Sequence, residues 1–349
     1  MAEKNNILFD TDTFSKLNSF LKKGKYSRLI VLADSNTVTE CYPILAKNCA
    51  AIQKADILEI DSGEAFKTLD TCKELWETLS EARVDKNSLL INVGGGVVTD
   101  IGGFVASVYK RGIDFIHIPT SLLAMADASV GGKCGVDLNS LKNQLGTITQ
   151  AKGIFINSVF LGTLSQRHLA NGIAEILKMG LIADAKLVKA MQDNKTELDT
   201  LIKKNVALKM AIVKKDPHDK GVRKILNFGH TAGHAIESCF MGTEDELLHG
   251  EAIAIGMLIE SIIAFDKKMI KTNELQTVID LIKPNYTVME FSEAEQEKIK
   301  ELMLHDKKNK NDTIRMSLIT KIGACKFNVE VNVAQIQKAF KTYHLIIGA

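Results

Sequence analysis

The chain has 349 residues, of which 46% are hydrophobic and 25% are charged, so it can bury a large core and its composition excludes an intrinsically disordered chain. Its formal net charge of +2 excludes a strong overall attraction to nucleic acid or to an anionic membrane surface. The six cysteines are scattered without a Cys-x-x-Cys pair, which argues against both a thiolate zinc site and a disulfide framework and predicts a cytoplasmic location.

The first half of the chain alternates short apolar segments with amphipathic ones. Four segments have the β-branched and apolar composition of buried strands, namely residues 28–32, 57–60, 88–93 and 115–118. Between the second and the third of these, apolar side chains from Phe66 to Leu79 recur at helical spacing. Strands separated by helices predict βαβ units and a mainly parallel sheet, so we assign residues 1–163 to an α/β domain.

From about Leu164 onward the pattern changes to long helical segments with little strand character. The clearest of these are residues 169–182, 186–191, 196–215 and 253–270. Pro217 falls between two of them, where a break in the helix is expected. We therefore predict an all-α C-terminal domain over residues 164–349, with the active site in the cleft between the two domains.

A glycine-rich turn follows the third predicted strand, where Gly94-Gly95-Gly96-Val97-Val98-Thr99-Asp100 leads into a helical segment. Glycines at such a turn let backbone N–H groups approach a diphosphate at the N-terminus of the helix. Two further polar loops, residues 34–36 and 61–67, also follow predicted strands, and ligands bind at this edge of open α/β sheets. A nicotinamide dinucleotide is therefore the first prediction, and a tight turn that only packs against the sheet is the alternative.

A second glycine cluster covers residues 127–135, after Pro119-Thr120-Ser121 and before Lys142-Asn143. Glycines that flank Lys133 suggest a contact with a phosphate or a polyol. The segment lacks the first glycine of a P-loop, and Cys134 replaces its hydroxyl residue, so we exclude a P-loop ATPase. The alternative is a glycine-bearing β-hairpin without a ligand.

Three histidines and a glutamate are candidate ligands of a metal ion. His230 and His234 are four residues apart and share one helical face, His249 opens the next helix, and Glu175 shares a face with Lys178. Two imidazoles and one carboxylate leave a coordination position open, as a catalytic zinc requires. Spacing alone pairs His230 with His234 and leaves the third position to Glu175 or His249, and a chance coincidence is the alternative.

Basic residues recur beside these motifs, namely Arg111, Lys133, Lys142, Lys178, Lys209, Arg223, Lys307 and Lys308. Most lysines of a protein surface only interact with solvent, so each alone is weak evidence. Arg223 precedes Asn227 by four residues, and its guanidinium can hold a carboxylate through two parallel hydrogen bonds. Together these residues predict a small, hydroxylated substrate with several negative charges.

Taken together, these residues resemble the 3-dehydroquinate synthase family. The motifs that carry the resemblance are Ser62-Gly63-Glu64 with Lys67, and residues 94–100, 109–112, 118–120, 127–135, 172–178, 216–237 and 248–257. The resemblance implies a Rossmann-like NAD-binding domain, a helical domain, one divalent metal (zinc, with cobalt as the alternative) and a homodimer. It also implies the conversion of 3-deoxy-D-arabino-heptulosonate 7-phosphate into 3-dehydroquinate and phosphate.

The resemblance further implies a role for each matching residue. The metal ligands would be Glu175, His230 and His249, with His234 facing the substrate. NAD would be held by Asp34, Asn36, Glu64, Lys67, Gly95, Gly96, Val97, Asp100, Thr120, Ser121, Lys133, Lys142, Thr163 and Leu164. The substrate phosphate would be held by Lys133, Asn143 and Lys178, together with one of Lys307 and Lys308. Arg111 of the partner subunit would also contact it. The substrate carboxylate would be held by Lys209 and Arg223, and the hydroxyls by Asp127, Asn227 and His234.

Three other functions are compatible with parts of this pattern. A related cyclase, such as a 2-deoxy-scyllo-inosose or valiolone-type synthase, has a substrate without a carboxylate, so Lys209 and Arg223 argue against it. A metal-dependent polyol dehydrogenase would not need the phosphate-binding lysines. A non-catalytic NAD-binding regulator would not need the three metal ligands.

Overall fold

The computed structural model describes residues 7–9, 12–138, 141–193, 195–304 and 313–348. The chain forms two compact units, Met1–Leu169 and Ala170–Ala349. Within the described ranges, no helix combines the length and the apolar character needed to cross a membrane.

A parallel sheet forms the centre of the N-terminal unit. The strands of this unit are β1 (Ile7–Leu8), β2 (Leu29–Asp34), β3 (Asp56–Ile60), β4 (Leu89–Gly94), β5 (Asp114–Pro119), β6 (Lys133–Leu138), β7 (Leu141–Ile148) and β8 (Gly153–Phe155). Six of them form one sheet in the order β1-β8-β5-β4-β2-β3, and all of its pairs are parallel. The four predicted strands are confirmed as β2 to β5. The two edge-side strands β1 and β8 escaped prediction because two or three residues are too few to show a pattern.

Helices pack on this sheet as the βαβ pattern predicts. They are α1 (Thr13–Gly24), α2 (Ser35–Glu40), α3 (Tyr42–Asn48), α4 (Leu69–Glu81) and α5 (Gly96–Val108). Apolar side chains of α4 and α5, such as Leu75, Val98 and Ile101, form one core with Ile30 and Leu90 from the strands. Helix α5 begins at the glycine turn, and its buried face anchors it to the sheet. This packing fixes the position of the turn.

The second glycine cluster leads into a β-hairpin, which both a ligand-binding segment and the alternative without a ligand permit. Strands β6 and β7 pair antiparallel, with Lys133 opposite Ile148 and Gly135 opposite Gly146. A π-helical turn, Ala124–Ala128, precedes the hairpin. Asn143 has a φ of 52° in the left-handed region, which asparagine tolerates better than most residues.

Helices make up most of the second half of the chain. They are α6 (Gln166–Ala183), α7 (Ala185–Gln192), α8 (Leu198–Lys215), α9 (His230–Phe240), α10 (His249–Asp266), α11 (Thr272–Ile282), α12 (Glu293–Leu304) and α13 (Val333–Ile347). The four predicted helical segments are confirmed as α6, α7, α8 and α10. The prediction that His249 opens a helix is also confirmed, since α10 begins at this residue.

The prediction that this domain contains only helices was wrong. The described residues also contain an antiparallel hairpin of β9 (Thr313–Lys321) and β10 (Ala324–Asn332). Ile314, Met316 and Leu318 are buried at the two-residue period of a strand. This alternation was missed because it lies among long helical patterns.

The crossing of α9 and α10 depends on glycine. A Cβ atom on Gly256 would lie 2.1 Å from the carbonyl oxygen of Gly229 and 2.6 Å from the backbone nitrogen of Gly233. Both of these are backbone atoms, so the helices themselves would have to move. We expect Gly256→Ala to lower the free energy of unfolding by about 1–3 kcal/mol, the usual cost of overpacking. Denaturant midpoints would measure this effect.

Gly162→Ala is the matched control for this prediction. A Cβ atom on Gly162 would meet no heavy atom within 4 Å. We expect its midpoint to equal that of the wild type. Equal midpoints for both variants would contradict the close crossing of α9 and α10.

Candidate functional site

Three histidines and one glutamate meet in the C-terminal unit. His230 is the first residue of α9, His249 is the first residue of α10, and Glu175 lies within α6. Potential ligand nitrogens of His230, His234 and His249 all lie within 4.8 Å of one another. Glu175 Oε1 is 3.5 Å from His230 Nε2 and 3.7 Å from His249 Nε2. The fold therefore brings together all four candidates, and distance allows either Glu175 or His234 beside the other two histidines.

Glu175 is the anion of this cluster. Its side chain is 1% exposed and forms an ion pair with Lys178, one turn along α6. Burial alone would raise the pKa of Glu175, but Lys178 and His249 outweigh that effect and lower it to about 2. Apart from the ion pair, neither carboxylate oxygen accepts a well-formed hydrogen bond within the described part of the chain. A buried carboxylate with unused acceptor positions beside two imidazoles fits a divalent metal such as zinc.

The two histidines nearest Glu175 are oriented by different partners. His230 Nδ1 is 3.1 Å from the carbonyl oxygen of Phe228, whereas His249 Nδ1 is 3.2 Å from Glu237 Oε2. Burial and the charge of Lys178 lower the pKa of His230 well below its ordinary value. Burial would also lower the pKa of His249, but Glu237 and Glu175 outweigh it and raise that pKa to about 10. His230 is therefore neutral at pH 7, while His249 must release a proton to become a ligand.

Buried polar side chains hold the helix ends that carry these histidines. Glu260, which is fully buried in α10, accepts hydrogen bonds from the backbone N–H groups of Gly229 at 2.7 Å and Ala232 at 3.1 Å. Asn171 accepts one from the backbone N–H of Gly250. Glu251 accepts one from the backbone N–H of Leu248 at 2.7 Å. Buried side chains thereby accept several of the N–H groups that have no partner within the helix at the starts of α9 and α10.

Sequence reasoning missed Glu237, Glu260 and Asn171. One signal was present for Glu260, since a lone carboxylate in the otherwise apolar middle of α10 must find buried donors. No comparable local signal pointed to Asn171, because its partner lies on a distant segment of the chain.

The basic residues predicted to hold a carboxylate are buried. Lys209 on α8 is 5% exposed, and Arg223 on the short helix Val222–Asn227 is 2% exposed. Arg223 Nη1 donates to the carbonyl oxygen of Pro217 at 3.0 Å. The carboxylate of Asp216 accepts hydrogen bonds from three backbone N–H groups of the loop, including that of Arg223. This short helix also carries Asn227 and leads through two residues into α9.

In the N-terminal unit, two lysines join three predicted loops. Lys67 is 4% exposed, and its Nζ lies 2.7 Å from Asp100 Oδ2 and donates to Asn143 Oδ1 at 2.7 Å. Lys142 Nζ donates to Glu64 Oε1 at 3.0 Å. Burial alone would lower the pKa of Lys67, but Asp100 and Glu64 outweigh it and raise that pKa. The structure therefore brings the 61–67 loop, the first turns of α5 and the β6–β7 hairpin into one charged network.

Most of the remaining residues predicted to bind the dinucleotide follow the carboxyl ends of β2, β4 and β5. Asp34 ends β2 and caps α2 by accepting from the backbone N–H groups of Asn36 and Thr37. Gly95, Gly96 and Val97 lie at the β4–α5 turn, and Thr120 and Ser121 follow β5. Since β5, β4 and β2 are neighbours in a parallel sheet, these residues share one edge. The hydroxyl of Thr163 donates to the carbonyl of Phe160, in a short helix that ends just before Leu164.

Three predicted substrate residues lie elsewhere in the N-terminal unit. Asp127 is in the π-helical turn, Lys133 is the first residue of β6, and Arg111 has a φ of 63° in the turn after α5. Lys307 and Lys308 lie outside the described residues.

Comparisons with known proteins point to one family. Residues 57–171 match the family described as 3-dehydroquinate synthase N-terminal, and residues 172–309 match 3-dehydroquinate synthase C-terminal. The chain is 37% identical over 354 residues to a 3-dehydroquinate synthase of Parabacteroides distasonis, covering 100% of both proteins. It is 36% identical over 331 residues to a 3-dehydroquinate synthase of Caldanaerobacter subterraneus, covering 91% of both.

A solved structure extends the comparison to the fold. The structure of a 2-epi-5-epi-valiolone synthase from Streptomyces hygroscopicus with NAD+ and Zn2+ bound is similar, with a TM-score of 0.86 and 27% identity. The similarity covers 99% of this chain and 98% of that one.

Proposed function

The chain belongs to the 3-dehydroquinate synthase family, and we propose how its residues convert 3-deoxy-D-arabino-heptulosonate 7-phosphate into 3-dehydroquinate and phosphate. The observation that carries the proposal is the meeting of Glu175, His230 and His249 in the C-terminal unit. The buried Arg223, which is suited to a carboxylate, favours this activity over that of cyclases whose substrates lack one. The reaction uses NAD and a divalent metal, zinc or cobalt.

Glu175, His230 and His249 would hold the metal. The charge and burial of Glu175 favour it over His234 as the third ligand, because a buried anion gains most from a nearby dication. A bound metal would acidify the substrate hydroxyl to be oxidised. His234, whose ring centroid is 5.0 Å from that of His230, would then face the substrate hydroxyls together with Asn227 and Asp127.

Residues 1–163 would form the NAD-binding domain. The start of α5 has no side-chain cap, so its backbone N–H groups would meet the diphosphate, as at other helix N-termini. Glu64 and Lys67, held by Lys142 and Asp100, would contact the dinucleotide from the neighbouring loop. NAD bound by these residues would supply reversible hydride transfer, so the net reaction is not a redox reaction.

Residues 164–349 would form the metal- and substrate-binding domain. Lys209 and Arg223 would hold the substrate carboxylate. The phosphate would be held by Lys178, Lys133, Asn143 and one of Lys307 and Lys308. In this position an oxygen of the substrate phosphate would take the proton from the carbon beside the new ketone, before the phosphate leaves. Holding the carboxylate while the phosphate leaves would orient the remaining carbon chain for the intramolecular ring closure.

We also propose a homodimer in the cytoplasm, in which Arg111 of the partner subunit contacts the phosphate. The free state of all six cysteines is consistent with a reducing compartment. Light scattering on the purified protein would test the dimer. A mixture of an Arg111→Ala chain and a Lys178→Ala chain should regain part of the activity if the two residues act across subunits.

One assay tests the function. The heptulosonate phosphate is supplied with NAD and zinc, and released phosphate is followed together with absorbance in the NADH band. Phosphate release without NADH accumulation supports the proposal. Steady NADH accumulation would indicate a polyol dehydrogenase, and no turnover by a protein that has bound metal would indicate a regulator.

Arg223→Met is expected to lower kcat/KM by about 10–100-fold, because a charge-assisted contact to the substrate carboxylate contributes about 1.5–3 kcal/mol. Arg223→Lys should keep the charge but lose the two parallel hydrogen bonds of a guanidinium. Its kcat/KM should therefore lie between those of Arg223→Met and the wild type. Steady-state phosphate release would measure both variants. Arg315→Met, at an exposed position on β9, is the control. Unchanged kinetics in Arg223→Met would exclude the proposed carboxylate contact.

A further inference from the structure

We propose that Glu237 is a positioning residue that holds the imidazole of His249 in the orientation and tautomer needed to bind the metal. The inference rests on the proposed function, since it assumes that His249 is a ligand. It adds a residue that the ligand set does not include, and it starts from the contact of 3.2 Å between Glu237 Oε2 and His249 Nδ1.

The backbone at His249 is already fixed on both sides. Glu251 accepts the N–H of Leu248, and Asn171 accepts the N–H of Gly250. Gly250 also packs closely, since a Cβ atom there would lie 2.1 Å from the carbonyl oxygen of Asn171. The orientation of the side chain is therefore the remaining freedom of His249, and only a contact to the ring itself can restrict it.

Glu237 supplies that contact from the same helix face that carries the other histidines. It lies three residues after His234 and seven after His230, so all three share a face of α9. Its side chain is 8% exposed, which limits competition from water. With Nδ1 directed at Glu237, Nε2 of His249 faces Glu175 at 3.7 Å. The carboxylate thus selects the tautomer that protonates Nδ1 and leaves Nε2 free for a metal.

His230 has a different support. Its Nδ1 faces a backbone carbonyl, that of Phe228, at 3.1 Å. A carbonyl orients the ring but adds no charge, whereas Glu237 brings a second carboxylate close to the site. A carboxylate that accepts the N–H of a histidine ligand makes the imidazole a stronger donor to the metal. Glu237 should therefore affect metal affinity through His249 more strongly than the carbonyl of Phe228 does through His230. Glu237 is a side chain, so mutation can test its effect.

The test measures metal binding directly. Wild type, Glu237→Gln and Glu237→Leu are compared by competition with a chelator for Zn2+ and by the visible absorption spectrum of Co2+. We expect Glu237→Leu to bind Zn2+ about 10–100-fold more weakly and to show an altered Co2+ spectrum. The Zn2+ affinity of Glu237→Gln should lie between those of the wild type and Glu237→Leu, because the amide oxygen of glutamine can still accept the N–H of His249. Glu246→Gln, at an exposed position in the loop before α10, is the matched control and should behave like the wild type.

The outcomes separate the inference from the function on which it rests. Metal affinity and a Co2+ spectrum equal to those of the wild type in both Glu237 variants would overturn the role of Glu237. Failure of the wild type itself to bind one metal would instead contradict the proposed metal site. If circular dichroism shows that Glu237→Leu does not fold, the test uses the nearly isosteric Glu237→Gln. A Co2+ spectrum of Glu237→Gln equal to that of the wild type would then show that Glu237 has a purely structural role.

Discussion

Replacement of His249 with alanine is expected to abolish both tight metal binding and activity, whereas replacement of His234 is expected to abolish activity and leave the metal in place. The reason is that His249 Nε2 faces the buried Glu175, while His234 is proposed to face the substrate. Loss of a direct ligand should weaken binding by more than the roughly 100-fold upper range for an outer partner. Metal content after dialysis against a chelator, together with phosphate release, would measure both effects.

This pair of variants decides between two ligand sets that distance alone permits. The three histidines have ligand atoms within 4.8 Å of one another, so a site of three histidines is geometrically possible. Both sets contain His249, so loss of metal in His234→Ala as well as in His249→Ala would assign the third position to His234 instead of Glu175. His168→Ala, at an exposed position on α6, is the control for nonspecific loss of metal. Circular dichroism should show an unchanged helical fold in all three variants.

Replacement of Glu260 with alanine is expected to have the largest effect on stability. Glu260 is 0% exposed and accepts backbone hydrogen bonds from Gly229 at 2.7 Å and Ala232 at 3.1 Å. Its removal leaves buried N–H groups at the start of α9 without a partner and opens a cavity. We expect the free energy of unfolding to fall by about 3–5 kcal/mol, which denaturant midpoints would measure.

The matched control is Glu301→Ala, at an exposed position on α12. Its midpoint should stay close to that of the wild type, because surface substitutions usually change stability by less than about 0.5 kcal/mol. A midpoint for Glu260→Ala equal to that of Glu301→Ala would show that the carboxylate does not support α9. The metal affinity of Glu260→Ala should also fall if the variant still folds, since His230 is the first residue of α9.

Glu260 also predicts a pH dependence of stability. Burial raises its pKa from 4.5 to about 8 in the folded protein, against the opposing effect of the backbone N–H groups of Gly229 and Ala232. A folded-state pKa above the unfolded one gives stability that is complete below the unfolded pKa and is lost as the pH rises through about 8. The denaturant midpoint of the wild type should therefore decrease as the pH is raised from 4.5 to about 8. Glu260→Gln cannot titrate and should show a smaller fall, and equal slopes for the two proteins would contradict the prediction.

Much of the fold was predictable because its patterns are local. The runs that became β2 to β5 have strand composition along consecutive residues, and the glycines before α5 mark a turn by their own chemistry. The hairpin of β9 and β10 was missed although each of its strands has nine residues. Its two-residue alternation lies among long helical patterns, so the wrong prediction of an all-α domain came from the weight given to those patterns and not from a conflict between sequence and fold.

The candidate site divides in the same way. From residue types and their spacing along the chain, the sequence by itself predicted a metal-binding group of histidines and a glutamate, a dinucleotide-binding turn and an arginine suited to a carboxylate. Spacing relates only residues on one helix, so it favoured His230 with His234. Tertiary structure decided that Glu175 lies near His230 and His249, that Glu237 contacts His249 and that Glu260 supports α9. Those contacts depend on how α6, α9 and α10 pack, and packing joins residues that no local pattern connects.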